Sequence, residues 1–154
     1  MVNISKHQFL WSGAFLFPCI LMLTGCPGPG DRMRFDETAQ VNVVGDKVCF
    51  SVTDPLDYRP ADIAINPRGT PSKNKAFTFD PDLTVTEGEL CIPPSFYRFP
   101  DKGQFIVEYV LTSQHHKNEP RKVVVTFESK NGRIYNVPPN NMEISRPYGE
   151  VSKP

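Results

Sequence analysis

The sequence predicts an all-β, immunoglobulin-like β-sandwich of seven or eight short strands, preceded by a segment that reads as a cleaved helical signal peptide. Three observations lead there. Apolar and polar residues alternate in short runs between Thr38 and Val137, and two-residue turn signals separate several of those runs. Sixteen prolines and ten glycines leave little room for long helices beyond the N-terminus. At 154 residues the chain suits one domain.

Each element follows from its local pattern. Thr38 to Val43 alternates, Gly45-Asp46 forms a turn led by glycine, and Lys47 to Val52 returns. That offset sets Val43 opposite Val48, Val41 opposite Phe50 and Ala39 opposite Val52, all on one face. Cys49 then points the other way, beside Asn42. A second hairpin repeats the arrangement around Glu87-Gly88, with Val85 opposite Leu90 and Leu83 opposite Ile92. Cys91 falls with Thr84 on its polar face. Ile63 to Ile65 is a short strand and Ala76 to Phe79 an edge piece. Gln104 to Thr112 places Phe105, Val107, Tyr109 and Leu111 on one face. Lys122 to Phe127 pairs with it across the loop from His115 to Arg121, and Asn131-Gly132 turns the chain into Arg133 to Val137. An up-and-down barrel is the alternative architecture.

Met1 to Gln8 is polar with Lys6, and Phe9 to Leu23 is a 15-residue apolar stretch broken by Ser12, Gly13 and Pro18. That length suits a signal h-region and falls short of the ~20 residues of a spanning helix. Leu23-Thr24-Gly25-Cys26 resembles the lipobox of bacterial lipoproteins in all four positions. The resemblance implies cleavage before Cys26, a diacylglyceryl thioether on its sulfur and an acylated amino group. Three acyl chains would hold the protein firmly to a bilayer. Pro27 stands where an Asp would mark inner-membrane retention, so the implied address is the periplasmic face of the outer membrane. The chain then divides into a signal peptide (1–25), a lipidated tether (26–37), a β-sandwich domain (38–137) and a loosely ordered C-terminal tail (138–154). Pro-Gly-Pro-Gly keeps the start of the tether extended.

Four cysteines can be placed one by one. Cys19 leaves with the signal peptide and Cys26 takes the lipid. Cys49 and Cys91 remain in an oxidising compartment, which points to a disulfide, with two unpaired buried thiols as the alternative. The A-B-E-D sheet of an immunoglobulin-like sandwich sets its second strand beside its fifth, so such a bond would lie within one sheet. With no CxxC and no histidine at ligand spacing, no metal is expected.

Chemistry is sparsely signalled. The 17 basic and 17 acidic residues balance, which argues against a nucleic-acid binder. No GxSxG, HExxH, P-loop or dinucleotide fingerprint occurs, so no catalytic residue, cofactor or enzymatic activity is expected. His115 and His116 sit in a polar loop and read as solvated. Two segments carry residue types that bind proteins. Asn66 to Lys75 holds Arg68, Lys73 and Lys75 without an acid; Pro93 to Pro100 holds Phe96, Tyr97, Arg98 and Phe99. A plain solvated connection is the alternative for the first. For the second it is a loop folded over the open end of the sandwich.

Several stretches are similar to one family. Cys26-Pro-Gly-Pro-Gly-Asp-Arg, Val48-Cys-Phe-Ser-Val, Ala64-Ile-Asn-Pro-Arg-Gly, Gly88-Glu-Leu-Cys-Ile-Pro-Pro and Phe105-Ile-Val-Glu-Tyr-Val resemble enterobacterial periplasmic lipoproteins described as type VI secretion immunity proteins. The resemblance implies a non-enzymatic module that binds a toxin delivered into the periplasm, its partners being the membrane, through the lipid, and a protein. A structural or assembly lipoprotein of the cell envelope is a second reading. An enzyme or small-ligand carrier, which would need a polar pocket the sequence does not show, is a third.

Overall fold

The computed structural model describes residues 34–147. The expected signal peptide, Cys26, most of the tether and residues 148–154 lie outside the described residues. Two antiparallel sheets form a β-sandwich. The first has the order β1 (Val41–Val44), β2 (Lys47–Ser51), β6 (Glu89–Ile92), β5 (Val85–Thr86). The second has the order β4 (Thr78–Phe79), β3 (Arg59–Pro67), β7 (Lys102–Thr112), β8 (Arg121–Lys130), β9 (Arg133–Val137). The first order is A-B-E-D of an immunoglobulin-like fold; the second is C-F-G with one further strand at each edge. This non-sequential order is that of a sandwich, not of an up-and-down barrel.

Registers match the apolar pattern. Val41 opposes Phe50 and Val43 opposes Val48, while Val85 opposes Leu90. Glu87 and Gly88, and likewise Asn131 and Gly132, both have positive φ, as a two-residue turn compatible with strand twist requires. The inward residues form one core around Phe50, Leu90, Ile92, Val107, Tyr109, Leu111 and Phe127. Phe50 lies 6.0 Å from Tyr109 and 6.2 Å from Phe127 between ring centroids, joining the sheets by aromatic contact.

Cys49 and Cys91 are directly opposed on β2 and β6 and form a disulfide within the first sheet, on the face away from the core. Cys49 is nevertheless fully buried. Asn42 on β1 donates to Glu89 on β6 at 2.9 Å, bridging over β2 and covering the sulfur. An outward direction on a strand is therefore not solvent exposure here.

The middle of the second sheet's outer face is also covered. Ile144 packs on Ile106 and Val124, and Pro139 is buried. Ser145 exchanges hydrogen bonds with Asp36, and Arg68 grips Glu143. The stretch 138–147, expected as part of a loose tail, is thus held to the domain. The end of the expected tether is held too, because Glu37 forms a parallel bridge to Val123 on β8.

Candidate interaction surfaces

The registers give the sandwich two distinct ends. One, the loop end, carries the 52–58 connection, the Glu87-Gly88 turn and the 113–120 loop. The chain arrives there, since Glu37 joins β8 beside that loop and Arg34 pairs with Glu119 at 3.2 Å. The far end carries the Gly45-Asp46 turn, the 93–101 segment, the Asn131-Gly132 turn and the start of the 68–77 connection.

The three cations of the 66–75 segment have different fates. Arg68 donates from Nε and Nη2 to both oxygens of Glu143, at 2.8 and 2.9 Å, and bonds Gln104 and the Pro138 carbonyl. These bonds hold the Glu143 carboxyl below the usual carboxylate range. Lys75 pairs with Glu108, both largely buried on the outer face of the second sheet. Lys73 alone stays exposed, on the single 3₁₀ turn Ser72–Asn74, without an ion pair among the described residues.

The aromatic segment closes the far end. Phe99 meets Phe105 at 5.5 Å, Phe127 at 5.3 Å and Tyr97 at 4.7 Å, all edge-on. Phe96 is half-buried against the same core, and Arg98 points to solvent. Tyr97, Arg98 and Phe99 line an open cleft of about 310 Å³ with Asp46, Val48, Ile92 and Pro94. The sequence reading places binding residues in both segments; the fold brings Tyr97, Arg98 and Phe99 into one cleft and commits Arg68 and Lys75 to internal pairs.

At the loop end Ser113, His115 and Asp57 come together, a grouping invisible in the sequence because 56 residues separate Ser113 from Asp57. Ser113 Oγ donates to Asp57 Oδ1 at 2.5 Å, and His115 Nδ1 meets Asp57 Oδ2 at 2.9 Å. The carboxylate thus sits between hydroxyl and imidazole, whereas a Ser–His nucleophile needs the imidazole itself on the hydroxyl. Ser113 Oγ also accepts the backbone N–H groups of His115 and His116. The hydrogen bonds from Ser113 and then His115 push the Asp57 carboxyl far down, which makes it a poor base. This cluster clasps two loops.

The clasped loop is strained. Asp54 and Leu56 have φ of 46° and 40°, and Leu56 is 70% exposed. A branched, bulky residue is an uncommon occupant of that region. Arg121 holds the backbone in place by donating to the carbonyls of Thr53 and Asp54, while Glu37 grips the same guanidinium.

Cys49, Cys91 and Glu89 bring their ligand atoms within 4.8 Å of one another. Both sulfurs are joined in the disulfide and offer no thiolate to a cation.

Fold and surface together define an immunoglobulin-like β-sandwich with an intra-sheet disulfide and a loop-clasped end where the chain arrives. Residues 36–132 match the family described as Domain of unknown function (DUF7480), and the chain belongs to that family. Neither the curated proteins nor the solved structures contain a match to it.

Proposed function

We propose that the chain is a non-enzymatic, lipid-anchored protein of the periplasmic face of the outer membrane that binds a protein partner through its far end. Within that class it acts as an immunity protein against a type VI secretion effector. One observation carries the choice of surface: the chain reaches the sandwich at the loop end, and Tyr97, Arg98 and Phe99 line a cleft at the opposite end. A lipid on Cys26 would connect to the domain through residues 34–37, which join the sandwich at the loop end, away from that cleft. An exposed Arg beside half-buried aromatic rings is a composition enriched at protein hot spots. Lys73 extends the contact, whereas Arg68 and Lys75 support the fold.

The lipobox-like Leu23-Thr24-Gly25-Cys26 supports the anchor, and the family resemblance of the sequence supports the immunity role. Deletion of the gene should sensitise cells to an effector encoded beside it and delivered by siblings. An envelope defect that appears without any effector would instead favour the structural lipoprotein. Replacing Cys26 with Ser should release the protein from the membrane fraction; retention there would remove the anchor from the account.

A further inference from the structure

Three cations lie side by side at the far end of the second sheet. Lys102 on β7 opposes Lys130 on β8, and Lys130 in turn opposes Arg133 on β9. Directly opposed residues share a face, so all three project from the outer face in one row. Like charges so placed repel and destabilise a sheet unless something compensates them. None of the three makes an ion pair among the described residues, although Glu128 and Asp101 are close in the ladder and the chain.

The next row adds the complementary feature. Tyr135 opposes Glu128 and is 47% exposed, and both line a cleft of about 580 Å³ with Lys130, Asn131 and Arg133. Two inter-strand spacings make the cation row about 10 Å wide, broader than one phosphate group. A phenol ring beside it suits a polypeptide surface, which brings apolar as well as charged contacts.

We infer that the row Lys102–Lys130–Arg133, with Tyr135, is a docking surface for an acidic segment of a protein partner. This deepens the protein-binding function and rests on it. Basic residues outnumber acidic ones around this end, with Lys47, Lys73 and Arg98 also unpaired among the described residues against Asp46, Asp101 and Glu128. The loop end carries the reverse excess in Asp54, Asp80, Asp82 and Glu87 against Arg59 and Lys117. A neutral chain with separated charge orients an acidic partner toward the far end.

The test titrates the full chain in nonionic detergent with poly-L-glutamate. Binding should weaken as salt rises, and K130E should weaken it by about tenfold or more at low salt. K130E should also raise the thermal midpoint, because it sets a carboxylate between two cations where three cations now repel. K117E, the same charge change at the loop end, should leave binding intact. Equal loss in K117E, unchanged binding in K130E, or equally tight binding of inorganic phosphate at the same row would each overturn the inference. An effector captured equally by the wild type and K130E, and lost with Arg98→Glu, would overturn the inference and leave the protein-binding function standing.

Discussion

The side-chain amide of Asn136 pairs with both backbone groups of Val41. Its Oδ1 accepts the Val41 N–H at 2.7 Å and its Nδ2 donates to the Val41 carbonyl at 3.0 Å. The amide thus imitates a neighbouring strand and closes the corner where β1 and β9 meet, covering an edge that would otherwise be open to pairing. Asn136→Ala should cost about 1–3 kcal/mol by leaving two backbone groups without partners. Urea denaturation measures it, and a change within a few tenths would show that water replaces the amide at no cost.

Tyr109 presents the opposite case. Its hydroxyl is buried with no hydrogen-bond partner among the described residues, and burial pushes its ionisation up. A buried hydroxyl without a partner costs about 1–3 kcal/mol of desolvation. Tyr109→Phe should therefore be neutral or stabilising in thermal unfolding, despite a fully buried site. A clear loss of stability would mean the hydroxyl is bonded in solution.

Leu56 holds a left-handed backbone while exposing its side chain. Glycine removes the clash of Cβ in that region, worth about 1–2 kcal/mol, and returns part of it as unfolded-chain entropy. Leu56→Gly should thus raise stability modestly, as chemical denaturation would record. A destabilised variant would mean that the leucine makes apolar contacts in solution.

The Arg68–Glu143 pair links stability to pH. Glu143 is held below its unfolded value, so the fold favours the ionised carboxylate. The pair's contribution is complete above the unfolded carboxylate value of about 4.3 and is lost as pH falls through the lower folded value. Glu143→Gln should be less stable than the wild type at pH 7, and the gap should narrow in acid. A gap that holds constant or widens on acidification would contradict the assignment.

Much of the fold is legible in the sequence where information is local. A glycine-led turn and six apolar residues on one face define the β1–β2 register, and the same logic places β5 against β6. From those two hairpins the pairing of Cys49 with Cys91 follows once the first sheet has its immunoglobulin-like order. What stays hidden is long-range. Arg68 reads as a free cation because Glu143 lies 75 residues away. Lys75 reads as a free binding cation until it is found paired with Glu108 on the packed part of the second sheet's outer face. The Asp57 clasp depends on two loops meeting, which no single stretch announces. The candidate site is legible in part: Tyr97, Arg98 and Phe99 stand out by composition, whereas the row Lys102–Lys130–Arg133 exists only through strand register.

The most direct measurement of the central claim is survival of a strain lacking this protein when sibling cells deliver the effector encoded beside it. The strain should lose viability, regain it with the wild-type chain, and fail to regain it with a Tyr97→Ala, Arg98→Glu chain that folds and reaches the membrane. Equal survival of the deleted and complemented strains would contradict the immunity function. Full rescue by the double variant would contradict the placement of the contact at the far end.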